Sequence, residues 1–218
     1  MQIAATINQA KYDAFRWRCE LTLVKKIALA LAMAGVTGLV AQIRFPLPWT
    51  PVPITGQTFA VLLAGVLLGS RWGGISMALY AGIGAAGVPW FSNWSGGFGV
   101  LSGATGGYII GFILAAIFLG HFTDKYVRSR SFFSMLGLML VANFILIYIP
   151  GLLWLRLWLG MAGKSVGFVA LLGMGMLPFI AGDITKAVVA AGIVRGVTPK
   201  QAYNGEVDKD KWATWRLP

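Results

Sequence analysis

Long stretches of this 218-residue chain contain no aspartate, glutamate, lysine or arginine, and their lengths constrain the fold more than any other feature. They cover residues 27–43, 45–70, 72–123, 131–155 and 165–182. A helix needs about 20 mostly apolar residues to cross a bilayer. The third stretch is long enough for two crossings and contains a Gly-, Pro- and Ser-rich break between them. The pattern therefore predicts six transmembrane helices.

The ends of these helices are set by glycine, proline and charged residues. Pro178 suits the first turn of a helix, so the sixth helix is expected to begin near this residue. Residues 160–172 are then expected to lie along the outer membrane interface as a short amphipathic segment. The six predicted helices cover residues 26–44, 57–69, 73–87, 105–120, 132–154 and 178–195.

The composition and the distribution of charge define the fold class. Hydrophobic residues make up 57% of the chain and charged residues only 11%, against about 25% in soluble domains, which excludes a soluble cytoplasmic enzyme. With the N-terminus inside, 14 of the 18 lysines and arginines lie on the cytoplasmic side, and only Arg44, Arg156 and Lys164 lie outside. This bias predicts an all-α integral protein of the cell membrane, with six transmembrane helices and both termini in the cytoplasm.

The predicted domains are a cytoplasmic N-terminal segment (1–24), a six-helix membrane domain (25–196) and a cytoplasmic C-terminal tail (197–218). The first 25 residues do not resemble a cleavable signal peptide, so the helices themselves are expected to direct insertion. The net charge of +11 is explained mostly by topology, and the basic tails suit anionic lipid headgroups rather than nucleic acid.

Several motifs are absent from the sequence. The chain has no GxxxxGK[ST] phosphate-binding loop, so it is not expected to hydrolyse ATP itself. Its one histidine, His121, stands apart from any metal-ligand or Ser/His/Asp spacing. No cofactor, no metal and no enzymatic activity are therefore expected.

Asp183 and Lys186 are the only charged residues placed inside the predicted spans rather than at their ends, and their i, i+3 spacing puts them on one helix face. A charge at this depth costs about 2.5–3.5 kcal/mol or more, so each residue needs the other or a polar cavity. Three interpretations remain open: an ion pair that locks helix packing, a polar site for a small solute, and a proton relay.

Two unusual connections are predicted on the outer side. Residues 45–57 contain four prolines within eight residues, which makes a stiff segment that could be a rigid linker or a lid. Residues 87–108 are rich in glycine and carry Trp90, Phe91 and Trp94, which could be interfacial belt residues or the walls of a site. The functional interpretation gains weight because both loops and the Asp183–Lys186 pair fall on the same side.

The first predicted helix carries two pairs of alanines at i, i+4 spacing, Ala28/Ala32 and Ala30/Ala34. Small residues at this spacing allow another helix to approach closely within lipid. The pairs could serve packing inside the protein or docking of a partner membrane protein.

Four sequence motifs point to a known family: PVPITGQTF (51–59), GVPWFSNWSGGFGVLSGATGGYIIGF (87–112), YIPGLLWL (148–155) and PFIAGDITK (178–186). Over roughly residues 20–196 the chain resembles the BioY family, the biotin-specific substrate-binding S components of energy-coupling-factor (ECF) transporters. The GATGGY and PFxxGDxxK elements are the most specific. Two departures affect loop stiffness: Gly56 stands where leucine is common, and Ala104 stands where proline is usual.

The resemblance implies six helices with cytoplasmic termini and an outer biotin pocket capped by the first loop. It also implies binding of the first helix to a transmembrane coupling protein that carries two cytoplasmic ATPases, with Ala28 and Ala32 at this contact. Biotin is the transported ligand in this interpretation. The implied ligand-site residues are Asp183, Lys186, Asn93, Gln57, Thr55, Tyr80, Trp90, Phe91, Gly96, Gly97, Thr105, Gly107 and Tyr108.

A binding hypothesis follows from the chemistry of biotin. Asp183 is expected to accept the ureido N–H groups, and Lys186 and Asn93 to donate to the ureido oxygen. Tyr80, Trp90, Phe91 and Tyr108 are expected to wall the ring system. For the carboxylate three groups remain open: Arg44, Lys186 and the glycine N–H groups at 96–99. A facilitator that works without ATPase partners is the alternative function, and a membrane-embedded enzyme is a more distant one because no nucleophile or metal set accompanies Asp183 and Lys186.

Overall fold

The computed structural model describes residues 2–203 and 205–212, with side chains between residues 6 and 210 except at 204. Residues 1, 204 and 213–218 lie outside this description, including Arg216 of the predicted cytoplasmic set. The described chain is mainly helical, and five of its helical stretches are long and apolar enough to cross a membrane. These stretches are Leu23–Val40, Gln57–Ala85, Gly106–Lys125, Phe132–Met161 and Phe168–Val197.

The regular elements alternate long helices with short connecting structure. One two-stranded antiparallel ladder, β1 with β2, closes the connection between the second and third helices. The elements are α1 (Gln2–Glu20), α2 (Leu23–Val40), β1 (Arg44–Phe45), β2 (Ile54–Thr55), α3 (Gln57–Ala85), α4 (Phe98–Leu101), α5 (Gly106–Lys125), a 3₁₀ turn (Val127–Arg130), α6 (Phe132–Val141), a π-helical segment (Ala142–Ile147), α7 (Tyr148–Met161), α8 (Phe168–Gly175), a 3₁₀ turn (Leu177–Phe179), α9 (Ile180–Val197) and α10 (Lys209–Trp212).

The long element α3 doubles back on itself at Gly69, whose φ of +82° suits a residue without a side chain. The Gln57 amide donates a 2.6 Å hydrogen bond to the Tyr80 hydroxyl. In a straight helix residues this far apart in sequence would be separated by about 35 Å. The two halves of α3 therefore form an antiparallel hairpin, and they correspond to the separately predicted helices 57–69 and 73–87.

The helical stretch that contains the sixth predicted helix begins earlier than expected, and the segment predicted at 160–172 is divided between the end of α7, a connection and the start of α8. Helix α7 continues to Met161, and α8 already begins at Phe168. Gly175 of α8 packs closely against α7. Pro178 does not start this stretch but interrupts it with a 3₁₀ turn, because a proline ring has no N–H to continue α-helical bonding.

Helix α5 lies at the centre of the bundle because its small residues allow backbones to approach. Its residue Gly120 lies against the Gly69–Ser70 turn of α3, and Gly111 lies against Ile147. A Cβ atom at either glycine would overlap these backbones. Close contacts between small residues are the usual means of packing helices within lipid.

Helix α1 was not anticipated from the sequence, and it covers the end of the bundle that lies opposite β1 and β2. Arg18 donates to the carbonyl of Val66 at 2.9 Å and forms an ion pair with Asp124 at 2.5 Å. Asp124 also accepts the backbone N–H of Ser70. The same carboxylate thus binds α1 to both the α3 turn and the end of α5.

A buried ion pair fixes the C-terminal segment to the same end. Arg130 donates to Glu206 at 2.6 Å, with both side chains fully buried, and its guanidinium also lies over the Phe15 ring. Burial lowers the pKa of Arg130. Burial alone would raise the pKa of Glu206, but hydrogen bonds from the Tyr203 N–H and from Arg130 outweigh it and leave this pKa below its ordinary value.

Replacing Glu206 with glutamine should lower the free energy of unfolding by about 3 kcal/mol, because Arg130 would remain buried without its counter-charge. Because folding lowers the pKa of Glu206, the loss of unfolding free energy relative to wild type should be largest near neutral pH. It should become smaller in acid, where Glu206 is protonated in both states. Thermal unfolding in detergent at several pH values measures this loss of stability. The control Glu20→Gln removes an exposed ion pair and should leave the midpoint nearly unchanged. Equal midpoints for wild type and Glu206→Gln would refute the assigned role.

Candidate functional site

A cavity of about 290 Å³ lies beneath β1 and β2, at the end of the bundle opposite α1. Its walls come from the 46–53 loop, from residues 91–105 of the connection between α3 and α5, and from the helices α3, α5, α7 and α9. The lining combines apolar surface with hydroxyl, amide and charged groups. The lining residues are Arg44, Pro46, Leu47, Thr50, Pro51, Val52, Pro53, Thr55, Gln57, Thr58, Phe91, Ser92, Ser95, Val100, Thr105, Tyr108, Ile109, Phe112, Ile147, Tyr148, Phe179, Asp183 and Lys186.

The proline-rich loop forms a lid over this cavity. Its two ends are held together by the ladder, in which Arg44 pairs with Thr55. Its centre is attached to α8, because the Thr50 hydroxyl donates to the Met174 carbonyl at 2.7 Å. The same hydroxyl accepts the Val52 N–H at 3.1 Å, which fixes the turn. Four prolines stiffen the loop further by restricting φ.

Asp183 occupies the first turn of α9, where a carboxylate is favoured by the helix dipole. It is only 4% exposed. One carboxylate oxygen accepts from Lys186 at 2.8 Å and from Thr58 at 3.0 Å, and the other accepts from Asn143 at 3.0 Å and from the Tyr148 hydroxyl. A carboxylate has about four acceptor positions, so the structure satisfies all of them.

Lys186 is equally well satisfied. Its ammonium group donates to Asp183, to the Thr55 carbonyl at 2.7 Å and to the Thr58 hydroxyl at 3.1 Å. An ammonium group has three donors, and each has an acceptor here. The pair predicted from i, i+3 spacing is thus a closed ion pair that also lines a cavity, so the structural and the ligand-binding interpretations apply to the same residues.

Three members of this network were not predicted: Thr58, Asn143 and Tyr148. Asn143 is a lone amide in an otherwise apolar run, which is a recognisable signal for a functional position within a membrane. It lies in the π-helical segment, a form often found at functional sites. Its Oδ1 is buried without a hydrogen-bond partner among the described residues. Tyr148 lies within the quoted YIPGLLWL motif but was not singled out.

A second chain of hydrogen bonds supports the cavity from behind. The Thr55 hydroxyl donates to the Gln57 amide oxygen at 2.8 Å, and Gln57 donates to Tyr80. Tyr80 is fully buried and does not line the cavity. Its ring meets Phe91 edge to face at 5.2 Å and lies 5.6 Å from the Trp90 ring. Of these three aromatic residues only Phe91 reaches the cavity wall, and the other two hold it in place.

Asn93 lies on the outside of its loop rather than at the cavity. It is exposed and has a φ of +66°. Gln42 fixes this orientation, because its amide donates to the Phe91 carbonyl at 3.0 Å and accepts the Trp94 N–H at 2.9 Å. Ser92 lies at the cavity instead, and its Oγ is buried with no hydrogen-bond partner in the described part of the chain.

The predicted glycines pack rather than line the cavity. Gly97 donates its N–H to the Gly84 carbonyl at 2.7 Å, and Gly96 lies against the Gly87–Val88 backbone. Gly107 lies against the Pro150 carbonyl of α7. Thr105 and Tyr108 do line the cavity, and the Tyr108 hydroxyl donates to the Gly175 carbonyl at 2.7 Å.

The arrangement is suited to binding rather than to catalysis. Apolar and aromatic walls surround a few fixed polar groups, which is typical of a small-molecule site. Within the described ranges, no group of three His, Cys, Asp or Glu side chains could hold a metal ion.

Comparisons with known proteins agree on one family. The model of the BioY family matches residues 8–202. A probable biotin transporter BioY of Methanothermobacter thermautotrophicus is 57% identical over 157 residues, covering 72% of this chain and 100% of that protein. The biotin transporter BioY of Rhizobium etli is 33% identical over 180 residues, covering 78% and 89%. A crystal structure of the S-component for biotin from an ECF-type ABC transporter is similar, with a TM-score of 0.71 and 26% identity over 80% of this chain and 93% of that one.

Proposed function

The chain belongs to the BioY family, and from this premise we propose that it is the membrane-embedded biotin-binding component of an ECF-type vitamin transporter. It captures biotin at the outer face of the cell membrane, and partner subunits drive import with ATP. It is not an enzyme and needs no cofactor. The observation that carries the proposal is the cavity between the lid and the Asp183–Lys186 pair.

The deep end of the cavity suits the ureido group of biotin. That group is planar, with two N–H donors and a carbonyl acceptor. Because all positions on Asp183 are occupied, a ureido N–H binds there only by replacing one donor. Thr58 is the exchangeable one, since its hydroxyl rotates freely and lines the cavity. Lys186 can likewise give up the Thr55 carbonyl for the ureido oxygen.

The remaining predicted contacts divide by position. Phe91, Tyr108, Thr105 and Gln57 already line the cavity and are proposed to contact the ligand or its ring system. Tyr80 and Trp90 are proposed to position Phe91. Gly96, Gly97 and Gly107 are proposed to act by close packing of the loop and helices. Asn93 would contact biotin only after a rearrangement of its loop, whereas Ser92 needs none.

The proposed topology has six membrane crossings, counting the two halves of α3 separately, with both termini in the cytoplasm. The Lys and Arg distribution supports this orientation, because Arg44, Arg156 and Lys164 are few beside the basic residues assigned to the other side. It places β1, β2 and the cavity at the outer face.

The proposed partners are a transmembrane coupling protein and two cytoplasmic ATPases. Helix α2 supports this, because its two alanine pairs lie on different faces. Ala30 and Ala34 are fully buried, and Ser76 of α3 donates to the Ala30 carbonyl at 2.8 Å. Ala28 and Ala32 are exposed and face away from the bundle. The outward pair offers a smooth surface on which another helix can pack.

Three measurements test the function. Mass spectrometry of small molecules released from the purified protein should detect biotin, and calorimetry in detergent should show saturable biotin binding. Biotin uptake in vesicles should require the ATPase partners. Absence of binding would refute the proposal, and uptake without ATP or partners would favour the stand-alone facilitator.

Replacing Thr50 with valine should loosen the lid, because valine keeps the size of the side chain but removes both hydrogen bonds of its hydroxyl. The bond to Met174, which attaches the lid to α8, contributes about 0.5–1.5 kcal/mol, so its loss should make biotin dissociate about 3- to 10-fold faster. Stopped-flow release of bound biotin measures the rate. The control is Thr185→Val, because this exposed hydroxyl only bonds its own helix at Ala181. An unchanged dissociation rate for Thr50→Val would show that the Thr50 hydroxyl does not hold the lid against α8.

A further inference from the structure

Arg44 is the one charged residue at the cavity that the site described above leaves unused. It is the first residue of β1, it is half-buried, and it lines the cavity. Among the residues described by the structure, its guanidinium has no hydrogen bond and no ion pair. A partly buried cation with free donors that faces a binding cavity is suited to pairing with an anionic ligand group there.

The other groups considered for the ligand's carboxylate either have other hydrogen-bond partners or lie away from the cavity, since none of residues 96–99 lines it. The three N–H donors of Lys186 all have acceptors, and the one donor that can exchange, which bonds the Thr55 carbonyl, is assigned above to the ureido oxygen. The Gly97 N–H donates to Gly84, and neither Gly96 nor Gly97 lines the cavity. Arg44 is therefore the remaining strong donor at the cavity wall.

The charge of the cavity supports the same assignment. Its charged lining residues are Arg44, Asp183 and Lys186, which together carry a net charge of +1. Asp183 and Lys186 neutralise each other through their ion pair. A ligand with a single negative charge would neutralise Arg44 and leave the cavity uncharged.

From these contacts we propose that Arg44 binds the carboxylate of the ligand and determines the selectivity for a free acid. The assignment rests on the proposed function, in which that ligand is biotin. The guanidinium presents paired donors that match both oxygens of a carboxylate. Since Arg44 belongs to the ladder that anchors the lid, the same ion pair would also attach the ligand to the lid.

The experiment compares biotin with biotin methyl ester, which keeps the ring system but has no negative charge. Wild-type protein in detergent should bind biotin at least tenfold more tightly than the ester in calorimetry. Arg44→Gln should weaken biotin binding by about 10- to 100-fold and change ester binding by less than threefold. Arg44→Lys should recover only part of the loss, because an ammonium group lacks the planar fork.

Arg156→Gln is the matched control, because it removes an exposed cation that does not line the cavity, and it should leave both ligands unaffected. Equal weakening of biotin and ester in Arg44→Gln would show a structural role, and no weakening would show no role, so either result overturns the assignment. If Arg44→Gln does not fold, equal affinity of wild type for biotin and ester overturns it as well. Failure of the proposed function is distinct, since wild type would then bind neither compound.

Discussion

Replacing Asp183 with asparagine is expected to reduce biotin affinity by more than 100-fold and to lower the stability of the ligand-free protein. The carboxylate accepts hydrogen bonds from Lys186, Thr58, Asn143 and Tyr148, and it is almost completely buried. An amide offers one oxygen and two competing N–H donors, so several of these donors would lose their acceptor. Removing one member of a buried ion pair costs about 3–5 kcal/mol. Calorimetry measures the affinity, and thermal unfolding without ligand measures the stability.

A double-mutant cycle separates the ion pair from direct ligand contact. Lys186→Met removes the cation but leaves three donors on Asp183, so its stability should fall less than that of Asp183→Asn. The double variant Asp183→Asn, Lys186→Met should recover part of the stability, because no unpartnered charge remains, but should not recover biotin binding. If Asp183→Asn binds biotin as tightly as wild type, the carboxylate has no part in the site. If the double variant recovers full affinity, the pair is structural only.

The sequence predicted the helices well because lipid imposes a simple rule on length and polarity. Charge-free runs located the long helices, and the lone charged pair within the spans lies at the cavity. The predicted end of the sixth helix, residue 195, is also close to the observed end of α9 at Val197. The start of the helical stretch that contains it differs from the prediction because proline favours the first turn of a helix, whereas packing of α8 on α7 continues the helical stretch on both sides of Pro178.

The network around Asp183 could be predicted only in part. The i, i+3 spacing is local and gave Lys186, whereas Thr58 and Tyr148 come from helices distant in sequence. Their positions depend on how α3, α7 and α9 pack, which no local pattern encodes. Asn93 illustrates the converse: the family resemblance implied a contact, but the hydrogen bonds of Gln42 turn the loop so that Ser92 lies at the cavity.

Helix α1 was missed for a physical reason of a different kind. It contains charged and polar residues throughout, so neither hydropathy nor a clear apolar face marks it. Its stability comes from tertiary contacts, including the Arg18–Asp124 ion pair and the Phe15 ring beneath two guanidinium groups. A helix of this type can be predicted only when the surface on which it packs is known.

Replacing Ala32 with tryptophan is expected to reduce ATP-driven biotin uptake at least tenfold, while leaving biotin affinity within about twofold of wild type. The outward face of α2 is smooth because Ala28 and Ala32 have minimal side chains, and a helix packing there approaches closely. A bulky indole would hold the coupling protein away without contacting the cavity. Uptake is measured in vesicles that contain the complete transporter, and binding by calorimetry on the isolated chain.

Two further substitutions make the result specific to this face. Ala170→Trp adds the same bulk to an exposed alanine of α8 and should leave uptake unchanged, because α8 lies away from the proposed contact. Ala30→Trp places the indole against α3, where Ala30 is fully buried, and should therefore destabilise the isolated chain itself. Co-purification with the coupling protein should be lost for Ala32→Trp alone among the stably folded variants. Normal uptake by Ala32→Trp would mean that the partner docks elsewhere, whereas loss of both uptake and binding would mean that α2 supports the fold rather than the contact.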